Sequence, residues 1–93
     1  MGDIAFEWDE EKARSNERKH GVTFGEASTV FGDRLGRLLE AADVGAETRD
    51  VIIGLSAVGR LLVVVFVERR RIRIISARRA TPLERHEYEE ARG

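Results

Sequence analysis

Residues 61–67 read LLVVVFV, seven apolar residues with no polar interruption. An apolar run of this length, rich in β-branched side chains, is typical of a strand that is covered on both faces. Val58-Gly59 gives a turn signal before the run, and Arg69-Arg70 gives one after it. The sequence therefore predicts that residues 61–67 form a central strand of a sheet rather than an edge.

The segments on either side supply the other strands. Residues 49–56 form the predicted strand before the central one. Residues 72–77 read IRIISA and form a predicted last strand, along which the side chains at 72, 74 and 76 alternate in direction with those at 73, 75 and 77. Two more strands are predicted at residues 6–8 and 35–40. Residues 41–48, AADVGAET, have the composition of a loop.

Two helices are predicted before the main strands. The first covers about residues 10–20, begins after the N-cap candidate Asp9, and ends at Gly21. The tetrapeptide TFGE at 23–26 is a capping box that begins the second helix, which Gly32-Asp33 ends. The second helix carries apolar residues at helical spacing, so we expect it to pack on the core.

The tetrapeptide TPLE at 81–84 combines an N-cap, a proline at the first helical position and a capping-box glutamate. It predicts a last helix over about residues 82–92. The whole chain is then one α+β domain, residues 1–93, with two N-terminal helices on one face of a mainly antiparallel sheet of four to five strands. Three residues are assigned wholly to capping: Asp9, Thr23 and Thr81.

The composition excludes several classes of protein and site. The chain has 93 residues and no cysteine, so disulfides and cysteine-ligated metals are ruled out. Its two histidines lie far apart in sequence, and we expect neither a metal nor a cofactor. No apolar run approaches the roughly 18 residues of a membrane span, and with no cationic leader we expect a cytoplasmic protein.

Arginine is concentrated near the C-terminus. Fourteen of the sixteen cations are arginine, and residues 69–85 hold seven of them against the single acid Glu84. The planar guanidinium matches phosphate with two hydrogen bonds, so this segment favours a nucleic-acid or polyanion surface. Codon bias in a GC-rich genome, or an ordinary solvated face, would give the same composition.

Several ordered stretches resemble the BrnT family of bacterial type II toxins. They are FEWDEEKARSNERKHGVTF at 6–24, GLSAVGRLLVVVF at 54–66 and IRIISARRAT at 72–81, followed by Glu84 and Tyr88. The resemblance implies a RelE-like microbial ribonuclease fold and a toxin that cleaves mRNA. It also implies a cognate ribbon-helix-helix antitoxin of the BrnA kind, with operator DNA bound only through that antitoxin. Both a homodimer and a toxin–antitoxin hetero-oligomer are compatible with it.

Metal-free RNA cleavage needs a base for the 2′-hydroxyl, cations for the phosphorane, and an acid for the leaving 5′-oxygen. His20 is the candidate base or acid, because an imidazole titrates near neutral pH. Lys19 beside it is a further candidate catalytic residue, as a base or through contact with phosphate. Alternatively, both side chains simply complement the negative end of the first helix.

Arginines at strand ends are the candidates for a phosphate clamp. Arg78 matches the arginine of the ISAR motif of the family, and Arg60 comes directly before the central strand. The structural alternative is an ion pair with Glu84 or Asp50 that only fixes the fold. Six further cations are expected to contact the RNA backbone or the antitoxin: Lys12, Arg69, Arg70, Arg71, Arg73 and Arg79.

Three functions from two classes remain open on the sequence. The first is a metal-independent endoribonuclease toxin that is neutralised by an antitoxin. The second is a non-catalytic domain that binds an acidic partner or nucleic acid through its arginine-rich face. The third is a nuclease that depends on the ribosome.

For Asn16 on the first helix, the alternative to a site role is a buried hydrogen bond between helix and sheet. For Trp8 the expectation is core packing rather than base stacking.

Overall fold

The computed structural model describes residues 4–44 and 47–92. Three helices and five strands form one α+β domain, and a 3₁₀ turn, Thr29–Gly32, follows the second helix. In chain order the elements are β1 Phe6–Glu7, α1 Glu10–His20, α2 Phe24–Ser28, β2 Arg37–Val44, β3 Glu47–Leu55, β4 Leu61–Glu68, β5 Ile72–Arg79 and α3 Pro82–Arg92.

The five strands form a single sheet in the order β1-β5-β4-β3-β2. Strand β1 runs parallel to β5, and the other pairs are antiparallel. Strand β4 lies in the middle, with buried side chains at six of its eight positions. The prediction that residues 61–67 form a central strand is confirmed, as is the mainly antiparallel α+β fold.

The sheet has a buried cluster on each face. Leu62, Val64 and Phe66 of β4 pack with residues of α2 and the 3₁₀ turn, including Phe24 and Val30. The opposite face holds Ile53, Leu61, Val63 and, from α3, Tyr88. Alternate side chains of one strand thus serve both clusters, which explains why β4 is apolar without interruption.

The expected loop at residues 41–48 is wrong. Strand β2 continues to Val44, β3 begins at Glu47, and the backbone pairs Ala42 with Arg49 and Asp43 with Thr48. This stretch lacks the alternation of apolar residues that marks a half-buried strand, so backbone pairing forms the ladder where strand propensity is low. Residues 45 and 46 of the predicted loop lie outside the described residues.

The expected alternation along β5 is broken by a bulge. Val65 pairs with Ser76 but Phe66 pairs with Ile74, so Ile75 is an extra residue on β5. Ile74 and Ala77 therefore both join the cluster under α1 and α2. The bulge also decides which faces of the sheet Arg78 and Arg79 lie on. Arg78 pairs with Val63 and Arg79 pairs with Leu62, and these two partners belong to the clusters on opposite faces.

Candidate functional site

Arg60 and Glu26 form an ion pair where the sheet meets α2. Arg60 donates from Nε to Glu26 Oε2 at 2.9 Å, and its Nη2 donates to Glu26 Oε1. Ser56 Oγ donates to Glu26 Oε2 at 2.7 Å. The hydrogen bonds from Arg60 lower the pKa of Glu26, so the glutamate is held as a carboxylate.

The turn between β3 and β4 carries Arg60 to this position. Ser56 N–H donates to the Arg60 carbonyl at 2.8 Å, and Gly59 adopts a φ of 83° that favours glycine. Ala57 N–H donates to Thr29 Oγ1 at 2.8 Å, which holds the turn against the 3₁₀ turn. Arg60 is thus fixed by the backbone as well as by its partner Glu26.

The same guanidinium reaches the end of α1. Arg60 Nη2 donates to the Gly21 carbonyl at 3.0 Å, and Gly21 is the left-handed residue, with φ 67°, that ends the helix. His20 and Lys19 form the last two positions of α1 and both are exposed. Arg60 thus contacts the backbone of the residue that follows His20, and the catalytic roles of Lys19 and His20 stay predictions.

Arg79 lies on the same side of the sheet as Arg60. Its partner across the ladder, Leu62, belongs to the cluster under α1 and α2, and paired residues project from the same face. Arg79 also contributes electrostatically to the lowered pKa of Glu26. We call Glu26, Ser56, Arg60 and Arg79 the corner cluster.

Arg78 points to the other face, towards α3. It donates from Nη1 and Nη2 to the two carboxylate oxygens of Glu84, each at 2.8 Å. These bonds lower the pKa of Glu84 to about 2. Glu84 also completes the capping box, because Thr81 N–H donates to its Oε1 at 2.9 Å. The structure thus shows the ion pair that the sequence left as an alternative, and contact of Arg78 with phosphate stays a prediction.

The remaining predicted RNA contacts lie away from the corner cluster. Arg69, Arg70 and Arg71 occupy the turn between β4 and β5 and are exposed. This turn and the corner cluster are at opposite ends of the eight-residue strand β4, which places them about 23 Å apart. Arg73 forms an ion pair with Glu7 at 3.6 Å, and Lys12 is exposed on α1.

Asn16 and Trp8 have the structural roles that the sequence allowed. The Asn16 side chain donates to the Ala77 carbonyl at 2.8 Å and to the Val22 carbonyl at 3.0 Å, and accepts from Ala77 N–H at 3.1 Å. Trp8 is half-buried and packs against the cluster under α1 and α2. The structure thus shows the buried hydrogen bond between α1 and the sheet that the sequence left as an alternative.

Glu26 and Ser56 were missed as site residues. The capping-box pattern had accounted for Glu26, but only half of that box forms: Thr23 Oγ1 accepts from Glu26 N–H at 3.0 Å, while the carboxylate turns to Arg60. An acid in a first helical turn together with an arginine before a central strand is too weak a signal to predict their contact, because 34 positions separate the two.

Within residues 4–44 and 47–92, no three His, Cys, Asp or Glu side chains come together as metal ligands would. In the same part of the chain, none of the helices has the length and apolar character needed to cross a membrane.

Known proteins match both the sequence and the fold. A sequence profile of the BrnT family, described as the ribonuclease toxin of a type II toxin–antitoxin system, matches residues 8–84. The crystal structure of the Brucella abortus ribonuclease toxin BrnT is similar to this chain with a TM-score of 0.62. The two share 23% identity over 85% of this chain and 99% of that one, which shows a common fold. No curated protein matches this chain in sequence. The chain belongs to the BrnT family of ribonuclease toxins of type II toxin–antitoxin systems.

Proposed function

We propose that this toxin cleaves mRNA without a metal ion, and that the reaction takes place at the corner cluster beside the end of α1. The observation that carries the proposal is the position of Arg60. Its Nε and Nη2 are held by Glu26 and the Gly21 carbonyl, while Nη1 has no hydrogen-bond partner among the described residues. A guanidinium that is fixed on one side and open on the other is preorganised to receive a phosphate.

The proposed reaction is attack by the ribose 2′-oxygen on the adjacent phosphorus. The bond from the 2′-oxygen to phosphorus forms, the bond from phosphorus to the 5′-oxygen breaks, and the products are a 2′,3′-cyclic phosphate and a free 5′-hydroxyl. A base takes the 2′-hydroxyl proton and an acid returns a proton to the 5′-oxygen. Arg60 and Arg79 stabilise the negative charge of the phosphorane.

His20 is the proposed proton-transfer residue, because it directly precedes the Gly21 carbonyl that Arg60 binds. Its assignment as base or as acid stays open. Lys19 adds a positive charge at the same helix end. Lys12, Arg73 and the arginines of the turn at 69–71 are proposed to contact the RNA backbone away from the reacting phosphate.

Arg78 has two candidate roles, one in binding phosphate and one in fixing α3. The sequence proposes a phosphate contact, whereas the bidentate pair with Glu84 already gives the guanidinium a role in α3. Arg78→Ala separates the two roles when cleavage and stability are measured on the same preparation. Loss of cleavage with an unchanged melting temperature supports the phosphate role, and a lower melting temperature with normal cleavage supports the structural one.

The proposed partner is a ribbon-helix-helix antitoxin of the BrnA kind, in the cytoplasm. Exposed arginines at 69–71, and Arg79 at the other end of β4, offer positive charge to acidic segments of a partner. Charge complementarity mainly accelerates encounter, so raising the salt concentration should slow association more than it speeds dissociation. Association kinetics that do not change with salt would exclude the electrostatic part of this proposal.

The test of the function is cleavage of a purified, end-labelled RNA in the presence of a chelator. We expect products that end in a 2′,3′-cyclic phosphate, formed by the wild-type protein and strongly reduced in folded His20→Ala protein. Cleavage only on translating ribosomes would support the ribosome-dependent alternative. Cleavage abolished by chelator would refute metal independence, and RNA binding without any product would support the non-catalytic alternative.

A further inference from the structure

A groove lies beside the corner cluster, between Trp8, α1 and the start of α2. Its volume is about 270 Å³, and its lining includes Trp8, Glu10, Arg14, Glu17 and Phe24. Pockets for drug-sized ligands usually have volumes of about 300–1,000 Å³, so this groove fits a smaller flat group such as a nucleobase. Gly25 also lines the groove and directly precedes Glu26, the partner of Arg60, so the groove lies beside the corner cluster.

An aromatic ring of fixed orientation forms one wall of the groove. Trp8 is half-buried, its ring meets the buried Phe24 edge-on with 6.1 Å between the ring centroids, and its Nε1–H donates to Glu10 Oε1 at 3.1 Å. Unpaired RNA bases are commonly recognised by stacking on such aromatic side chains. Trp8 was expected to be a core residue, and the groove gives its accessible part a second use.

The polar groups of the groove come from one face of α1. Glu10, Arg14 and Glu17 follow the spacing i, i+4 and i+7, which places neighbouring side chains about 5–6 Å apart. Glu10 is engaged by Trp8, whereas the side chains of Arg14 and Glu17 are exposed and form no hydrogen bond or ion pair within the described residues. A carboxylate and a guanidinium are therefore available side by side at the rim.

We propose that this groove binds a guanine base of the RNA substrate, with Glu17 and Arg14 as the residues that select it. This inference rests on the proposed ribonuclease function and names the base that the enzyme prefers beside the cleaved phosphate. Glu17 accepts from the N1–H and the amino group of guanine, and Arg14 donates to its O6 and N7.

The other bases match this pair of groups less well. Adenine turns the lone pair of N1 towards the carboxylate and offers an amino group, not an acceptor, where Arg14 donates. Uracil offers a single N–H donor, and cytosine combines an amino group with acceptors. Guanine alone presents two adjacent donors on one edge and two adjacent acceptors on the other.

The experiment uses the fact that Trp8 is the only tryptophan of the chain. Its single indole N–H resonance is followed by NMR while each of the four nucleoside 3′-monophosphates is added to the intact protein. We expect a saturable shift of this resonance and a dissociation constant about tenfold lower for guanosine 3′-monophosphate than for the other three. No shift with any nucleotide, or equal affinities for all four, would overturn the proposal.

Two matched pairs of variants test whether Glu17 and Arg14 determine the selectivity for guanine. Glu17→Gln should abolish the tenfold preference, whereas Glu11→Gln, which removes the same charge from α1 outside the groove, should keep it. Arg14→Ala should weaken guanine binding, with Arg18→Ala as its control. Equal behaviour within either pair means that net charge, and not the groove, controls binding, and it contradicts the assignment.

The binding measurement does not require RNA cleavage, so its failure is distinct from failure of the proposed function. His20→Ala should lose cleavage and keep the guanine preference. A protein that cleaves RNA without preference for guanine refutes only the groove. An antitoxin that shifts the Trp8 resonance when guanosine 3′-monophosphate does not would identify the groove as part of the antitoxin interface and overturn the guanine site.

Discussion

Asn16 offers a sharp test of how the first helix is fixed to the sheet. Its side chain is buried, with 7% of the residue exposed, and makes three hydrogen bonds to the backbone of Val22 and Ala77. Ala77 lies in β5, so the amide of Asn16 occupies the edge of that strand as a neighbouring strand would. We predict that Asn16→Ala strongly destabilises the protein.

The expected loss in the free energy of unfolding follows from these three hydrogen bonds. Each intramolecular hydrogen bond contributes about 1 kcal/mol net, so the loss is about 3 kcal/mol. A domain of 93 residues has a total stability of roughly 5–14 kcal/mol, which makes this loss a large fraction. Urea unfolding followed by circular dichroism should show this lower free energy of unfolding. Thermal unfolding should show a fall in melting temperature of about 12–24 °C.

The control for Asn16→Ala is Lys12→Ala, one turn earlier on α1, where the side chain is exposed; it should change stability by no more than about 0.5 kcal/mol. Asn16→Asp keeps an acceptor for Ala77 N–H but loses both donors, so it should destabilise at least as much as alanine. A loss below about 1 kcal/mol for Asn16→Ala would refute the reasoning, because water would then satisfy the freed backbone groups.

Three further predictions concern the C-terminal helix. Arg78 lowers the pKa of Glu84 from 4.5 to about 2, so the pair stabilises the fold above about pH 4.5 and this contribution is lost as the pH falls towards 2. Urea unfolding measured between pH 5 and about 2 should show this loss for the wild-type protein, and Glu84→Gln should remove it. The contribution is about 1 kcal/mol, because the Arg78 side chain is 42% exposed and solvent screens the pair. Thr81→Ala should cost about 1 kcal/mol in thermal melts, and an unchanged melting temperature would mean that the helix end is frayed. Tyr88→Phe, which removes the 2.5 Å hydrogen bond to Asp33, should cost about 1 kcal/mol, and a much larger loss in urea unfolding would show that Asp33 depends on it.

Local signals were sufficient to predict most of the fold. The apolar run at 61–67 specifies the central strand, and the capping residues at 9, 23 and 81 specify where the three helices begin. These signals act within a few residues of the chain, so they can be seen in the sequence. The β2–β3 hairpin beyond residue 40 carries no such signal, because its strands are defined by backbone pairing with each other.

The candidate site depends on contacts that the sequence does not display. Whether Arg78 or Arg79 faces α1 is decided by the bulge at Ile75, since one extra residue reverses the faces of everything after it. Glu26 had a sufficient local explanation in the capping box, which concealed its pair with Arg60. His20 was chosen for its imidazole, Lys19 as its neighbour, and Arg60 for its place before the central strand. The structure places the backbone of the helix end against Arg60, a contact that none of these local arguments predicted.

The central claim is that the reacting phosphate lies at the corner cluster and not at the turn of residues 69–71. The most direct measurement compares single-turnover cleavage of naked RNA, at saturating enzyme, by Arg79→Ala and Arg70→Ala. Both variants remove one exposed arginine, from opposite ends of the sheet. We predict a rate about a hundredfold lower for Arg79→Ala and a change of only a few-fold for Arg70→Ala. Equal rates for the two variants, or the larger loss for Arg70→Ala, would contradict this location of the active site.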